Sequence, residues 1–167
     1  SQQFYETEED RDFVRGYTFE ITRGMSPVRT AQTGLRLGRI PWGDGHHDAY
    51  RRMFGHMTGM VAVCEDLPEA HNTVTLDPDL KDSDGIPAPK ISYTLSDNSR
   101  KMLDHAVARA TDMLEASGAT DVMSESPIRY GGWHLMGTAR MGTDPERSVV
   151  NEWGRSHDVR NLFIVDG

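Results

Sequence analysis

The sequence predicts an α+β fold in which helices cover an antiparallel sheet, and three observations carry that prediction. Tyr17–Arg23 alternates apolar and polar residues, which is typical of a half-buried strand. Three further strand-like runs follow at Met60–Val63, Thr73–Leu76 and Pro87–Leu95. The clearest helical pattern then runs from Ser96 to Ser117. A helix with strands on both sides of it in sequence implies a helical layer packed on one face of an antiparallel sheet.

The helix is predicted from its apolar stripe and from its two ends. Ser96 suits the N-cap position, and Gly118 supplies the left-handed residue that often ends a helix. His105 lies off the stripe, so we expect it to be solvated. We interpret the stripe as core packing rather than as a cofactor groove. Its members recur at spacings of three and four residues: Met102, Leu103, Ala106, Val107, Ala110, Met113 and Leu114.

The segment between the first strand and the second is rich in residues that break regular structure. Gly24–Gly45 contains five glycines and two prolines, and this density predicts an irregular surface excursion. Long loops of this kind often act as lids or binding loops. A helix is expected to begin after it, within Asp48–His56, with apolar residues on one face.

Two short runs resemble metal sites, and both have a simpler interpretation. Asp77–Gly85 holds four aspartates but lacks the glutamate that closes a calcium loop, so a hairpin turn is favoured. His46, His47 and Asp48 are adjacent, and neighbouring side chains point to different sides of a helix or strand. Exposed histidines are therefore favoured over a metal centre, and we predict no metal site.

Composition excludes several classes of protein. The net charge of −8 argues against a nucleic-acid partner and against an anionic membrane surface. No apolar run reaches the length of a membrane span, and no signal-peptide pattern opens the chain. We therefore expect a cytoplasmic protein, with the reservation that the chain reads as a piece of something larger. The single cysteine, Cys64, lies in an apolar run and is expected to be an inert buried thiol.

The stretch from Arg129 to Gly142 is the strongest candidate for a functional segment. It places four glycines around one imidazole, that of His134, with no helical or strand period. Glycine suits backbone that must bend or approach something bulky, so the pattern is typical of a ligand-contacting loop. A Gly-rich connection that contains a core histidine is the alternative, and these residues alone do not decide between them.

The residues that follow decide the question through a resemblance. The ordered series is His-x-x-Gly-Thr-x-Arg-Met-Gly from His134, then Asp144-Pro145, Ser148–Asn151, and Asn161-Leu-Phe-Ile-Val-Asp-Gly to Gly167. This series resembles the C-terminal signature of the glucose–methanol–choline (GMC) family of flavoprotein oxidoreductases. Within the family it is most similar to the branch acting on sugars and polyols, such as gluconate dehydrogenases and pyranose oxidases.

The resemblance implies a domain organisation. Residues 1–128 would be part of the substrate-binding domain, whose antiparallel sheet forms the wall opposite the flavin in this family. Residues 129–167 would be the active-site loop and the strands that return to the FAD-binding domain. The Gly-x-Gly-x-x-Gly turn that holds the pyrophosphate does not occur in the sequence, so the rest of the FAD-binding part is the expected partner.

The resemblance also implies a mechanism in which FAD oxidises an alcohol group of a sugar or polyol. His134 corresponds to the family's proton-abstracting histidine, and hydride passes to the flavin N5. Contacts with FAD are implied for Gly137, Thr138, Asn151, Asp166 and Gly167. Asn151 stands where the family often has Asp. The family's second active-site histidine or asparagine lies in a tail beyond Gly167, and His157 does not match its position.

Two other classes of function stay open at this point. A non-catalytic sugar-binding or scaffold domain could keep the fold, with Trp133 and Tyr130 stacking on sugar rings; in an enzyme the same two residues are our candidates for substrate binding. A metal hydrolase built on His46, His47 and Asp48 ranks last.

Overall fold

In the computed structural model the described residues are 3–128, 131–132, 134 and 136–165. The chain forms two compact units. Unit 1 comprises residues 1–65 and 98–124, and unit 2 comprises residues 66–97 and 125–167. The predicted boundary after residue 128 falls inside unit 2 and stays a prediction. The α+β class predicted from the sequence is confirmed: the described residues form three helices, and each unit contains an antiparallel strand pair.

Strands β1 (Tyr17–Thr22) and β2 (Gly59–Cys64) of unit 1 pair antiparallel, with Tyr17 opposite Cys64 and Thr22 opposite Gly59. Both strands were predicted from their alternation. Tyr17 and Phe19 point into the core as the alternation predicts, whereas Ile21 is largely exposed.

Helix α3 (Asp97–Ala116) covers the core of unit 1. Met102 and Ala106 are completely buried, so the predicted stripe does form the packed face. The cluster joins the helix to β1, β2 and the N-terminal segment. Its buried members are Phe13, Tyr17, Phe19, Met102 and Ala106. Apolar burial of this kind stabilises the unit by roughly 1.5–3 kcal/mol for each large side chain.

The interpretation of Gly24–Gly45 as wholly irregular is wrong, because helix α1 (Pro27–Arg36) lies within it. Ser26 accepts a hydrogen bond from the Arg29 amide at 3.3 Å, and Pro27 occupies the first turn, where its missing N–H costs nothing. Gly34 is needed inside the helix, since a Cβ there would lie 2.3 Å from Ile40 Cδ1. Helix α2 (His46–Met53) follows and packs against α1.

Unit 2 contains the hairpin of β3 (Thr73–Lys81) and β4 (Pro87–Ser92). Pairing is regular from Thr73, which lies opposite Ser92, to Leu76, which lies opposite Pro89. The register then shifts, so that Lys81 lies opposite Pro87. The aspartates make the turns: Asp77 Oδ1 accepts from the Asp79 and Leu80 amides, and Asp82 Oδ1 from the Asp84 and Ile86 amides. The predicted hairpin turn is confirmed.

Candidate active site

The C-terminal segment of unit 2 is held together by single bridges rather than by a continuous strand pair. Met141 pairs parallel with Val150, Val150 pairs antiparallel with Ser156, and Arg155 pairs antiparallel with Phe163. Val150 is at the centre of this arrangement and is almost fully buried. The backbone of Arg140–Gly142 is thereby fixed beside Val149–Val150: the Val149 amide donates to Arg140 O at 2.8 Å, and the Gly142 amide donates to Val150 O at 2.8 Å.

A groove of about 620 Å³ lies along this segment. Its apolar walls include Met141, Val150 and Ile164, and the exposed indole of Trp153 lies at its side. The remaining lining residues are Gly137, Ala139, Arg140, Glu152, Gly154 and Val165. Apolar walls with few charged groups are typical of sites for small organic ligands.

Two glycines shape this groove for different reasons. Gly137 has φ of +89°, a backbone conformation that L side chains rarely adopt, and no heavy atom of the described residues lies within 4 Å of the position of a Cβ. Gly154 also has positive φ, and a Cβ there would lie 2.8 Å from Ile164 O. A side chain at Gly154 would therefore push the Ile164 backbone away.

The predicted site residues that the structure describes fall in different places. Gly137 lines the groove. His134 and Thr138 are exposed close by in sequence. Asn151 forms a turn, in which its Oδ1 accepts from the Trp153 amide at 3.0 Å and the Arg155 amide at 3.1 Å. Their predicted roles toward substrate and cofactor stay predictions. Tyr130, Trp133, Asp166 and Gly167 lie outside the described residues.

Sequence reasoning did not find the pair formed by Ser148 and His157. His157 Nε2 lies 3.0 Å from Ser148 Oγ and 3.0 Å from the Gly142 carbonyl oxygen. The two residues are nine positions apart in an irregular segment, so no helical or strand period links them. Arg140 and Trp153 on the groove were likewise unassigned.

The runs that resembled metal sites use their polar atoms within the protein. His46 Nδ1 lies 3.0 Å from the Pro41 carbonyl oxygen, and Asp48 pairs with Arg51 at 3.2 Å. Backbone amides of Leu80 and Asp79 lower the pKa of the Asp77 carboxyl below its ordinary value. Among the described residues, no group of three or more His, Cys, Asp or Glu side chains is placed to share a metal ion.

Burial controls the titrating groups of the unit 1 core. Desolvation raises the pKa of the Cys64 thiol to about 11, so at neutral pH the thiol stays protonated and is a poor nucleophile. This agrees with the expected inert cysteine. The expectation that His105 is solvated is wrong: its Nδ1 contacts the Tyr17 hydroxyl, and its ring packs against Phe4 and Phe13.

No helix in the described part of the chain is both long enough and apolar enough to cross a membrane.

Comparison with known proteins gives a family match over most of the chain. A family model described as GMC oxidoreductase matches residues 68–167. The chain is similar to 2-methyl-1,2-propanediol dehydrogenase of Mycolicibacterium austroafricanum, with 39% identity over all of this chain and 30% of that protein. It is also similar to the fructose dehydrogenase large subunit of Gluconobacter japonicus, with 33% identity over 83% of this chain and 25% of that protein.

A third relative is the gluconate 2-dehydrogenase flavoprotein of Pantoea cypripedii, with 28% identity over 91% of this chain and 26% of that protein. The chain spans less than a third of the length of each of these relatives.

Proposed function

Because this chain belongs to the GMC oxidoreductase family, as its C-terminal motifs predicted, we propose that it is part of an FAD-dependent enzyme that oxidises an alcohol group of a sugar or polyol. Residues 1–128 contribute part of the substrate-binding domain. Residues 129–167 form the active-site loop and lead back to the FAD-binding domain. The FAD-binding remainder of the same enzyme is then the main partner of this chain.

One observation carries the proposal: residues from the first and from the last part of the family motif line a single groove. Gly137 comes from the His-x-x-Gly-Thr series, and Ile164 and Val165 directly precede Asp166 and Gly167. These positions are almost thirty residues apart in sequence. Their convergence supports a shared role for the beginning and the end of the motif in contacting one ligand.

The residues of the groove suit part of a flavin. Met141, Val150 and Ile164 offer apolar contact to a flat ring system, and Gly137 offers backbone without a side chain. The GMC family is generally FAD-dependent, and one relative is named as a flavoprotein. When bound, FAD would supply the hydride acceptor, and the protein supplies position and proton transfer.

His134 is the residue of this chain to which we assign proton abstraction. An imidazole suits this task, since the ordinary pKa of histidine lies near the working pH. The side chain is exposed, which leaves it accessible to a substrate. It takes the proton of the substrate hydroxyl as the carbon is oxidised. Gly137 and Thr138, a few residues further on, bring backbone toward the cofactor.

The names of the relatives set the range of substrates worth testing. One relative is named for a small branched diol and the other two for a sugar and a sugar acid. Their common chemistry is an alcohol carbon next to at least one other carbon that bears a hydroxyl group. We therefore assign to the enzyme a polyhydroxylated substrate rather than a simple monoalcohol.

The test uses the full-length enzyme that contains this chain. We expect a yellow protein whose bound flavin is bleached under anaerobic conditions by at least one of 2-methyl-1,2-propanediol, fructose, gluconate and glycerol, and more slowly by 1-propanol. A colourless protein that still binds sugars would support the non-catalytic alternative. A yellow protein that none of these polyols reduces would contradict the assigned substrate class.

A further inference from the structure

We propose that His157 is a positioning residue that fixes the wall of the groove through Gly142 and Ser148. Its consequence for catalysis rests on the proposed function, while the structural part of the inference does not. The ring is half-buried, and its Nε2 lies 3.0 Å from both Ser148 Oγ and the Gly142 carbonyl oxygen.

The partners of His157 determine where its proton lies. A carbonyl oxygen can only accept a hydrogen bond, so the contact with Gly142 O requires Nε2 to carry the proton. The Ser148 hydroxyl is within hydrogen-bond distance of two carbonyl oxygens, Gly142 O at 3.1 Å and Asp144 O, so its single O–H points toward these acceptors and away from His157. Its lone pairs then face the Nε2–H of His157. The imidazole is a donor in this pair, and it does not activate Ser148 as a nucleophile.

The backbone of His157 holds the other side of the same loop. Its amide donates to Val149 O at 3.1 Å, and the Val149 amide donates to Arg140 O at 2.8 Å. The imidazole and the amide of one residue therefore fix both backbone segments, Arg140–Gly142 and Val149–Val150. We call the contacts of His157 with Gly142, Ser148 and Val149 the His157 clamp.

The clamp acts on residues that line the groove. Arg140, Met141 and Val150 lie on the wall of the groove. Met141 is next to Gly142 in sequence, Val150 is next to Val149, and Arg140 O accepts the hydrogen bond of the Val149 amide. The fit at Gly142 is tight, since a Cβ there would lie 3.0 Å from Ser148 Cβ. A small displacement of this wall changes the distance between bound groups, and misplacement by about 1 Å can cost roughly a hundredfold in rate.

The test compares two replacements of the ring in the full-length holoenzyme. His157→Phe keeps the ring and removes the donor, whereas His157→Gln keeps an N–H donor at a similar reach. We expect substrate-driven flavin reduction, per bound flavin and at saturating substrate, to fall roughly ten- to a hundredfold in His157→Phe. The rate in His157→Gln should stay within a few-fold of the parent. A His157→Phe enzyme with the parent rate, or a His157→Gln enzyme as slow as His157→Phe, would overturn the proposal.

Ser148→Ala tests whether the effect passes through the serine. When combined with His157→Phe it should add little further loss, because the two side chains act through one contact. If the rate losses of the two single variants multiply in the double variant, the two side chains act independently, and the proposal that they act through one contact is overturned.

Amide hydrogen exchange tests the His157 clamp by a measurement that does not depend on enzymatic activity. In His157→Phe the Gly142 and Val149 amides should exchange faster than in the parent, with protection restored in His157→Gln and amides of α3 unchanged. Unchanged exchange at Gly142 and Val149 would overturn the clamp even if the enzyme proves active. An enzyme that no alcohol reduces, but whose loop loses protection as described, would contradict the proposed function and leave the clamp supported.

Discussion

The hydroxyl of Tyr17 and the Nδ1 of His105 lie 2.7 Å apart and join strand β1 to helix α3. Burial raises the pKa of Tyr17 to about 12, so at neutral pH the phenol is protonated and its O–H donates a hydrogen bond to the imidazole. His105 therefore accepts through Nδ1 in its neutral form. The rings of Phe4 and Phe13 pack on His105, with centroids 5.5 and 5.3 Å away. A histidine off the main apolar stripe thus contributes to the core.

Removing the Tyr17 hydroxyl should weaken the attachment of α3. Tyr17→Phe keeps the ring but loses the hydrogen bond, and we expect the free energy of opening for α3 amides to fall by about 1 kcal/mol. Native-state hydrogen exchange measures this quantity locally. The matched control is Tyr50→Phe, whose hydroxyl donates to Pro27 O at 3.3 Å near helix α1. If both variants lowered the opening free energy of the α3 amides equally, the Tyr17–His105 hydrogen bond would not be what attaches α3.

Stability should fall on acidification, in part because of His105. Burial, followed by Arg11 and Arg109, lowers its pKa from 6.5 in the folded state, against an opposite effect of Asp12 and Asp10. The imidazole therefore binds a proton more readily in the unfolded chain than in the folded protein. The contribution of neutral His105 to the free energy of unfolding is present above about pH 6.5 and is lost as the pH falls below that value. The α3 exchange free energies of the parent should decline more between pH 7 and pH 5 than those of His105→Gln. Parallel declines would remove His105 as the cause.

The packed face of α3 should matter for stability and not for chemistry. Met102 is completely buried in the unit 1 core, so Met102→Ala should cost roughly 2–5 kcal/mol. The half-buried Leu103 beside it serves as control, and its truncation should cost clearly less. Flavin reduction per folded, flavin-containing molecule should be nearly unchanged in both variants. A large loss of that rate in fully folded Met102→Ala would contradict a purely structural role.

The elements that the sequence predicted are those whose contacts are local or strictly periodic. The alternation in β1 and the stripe in α3 predicted both elements, because one face of each meets the same core. Helix α1 was not predicted because the glycines and prolines of this segment, Gly34 among them, favoured irregular structure. That pattern outweighed Ser26 and Pro27, which suit the start of a helix. Gly34 makes sense only once Ile40 folds back onto it, which is a tertiary contact.

The candidate site likewise contains residues that a sequence motif predicted and residues that only tertiary contacts bring together. Gly137 was predicted from an ordered motif, and the structure places it on a groove with Ile164 and Val165. The contact between Ser148 and His157 depends on a chain reversal that no periodicity encodes, so residue patterns did not reveal it. His105 was misjudged for a related reason, since its partner Tyr17 lies 88 positions away.

The central claim is that His134 abstracts the substrate proton, and anaerobic stopped-flow reduction of the full-length His134→Gln enzyme tests it most directly. Glutamine keeps the bulk of the side chain but does not accept a proton at neutral pH. His56→Gln, at an exposed histidine in unit 1, is the matched control and should reduce like the parent. For His134→Gln we expect substrate-driven reduction, normalised to bound flavin, to be roughly 10²–10⁴-fold slower, with flavin content nearly intact. A rate within a few-fold of the parent, accompanied by lost stability or lost flavin, would contradict the account and identify His134 as a structural histidine.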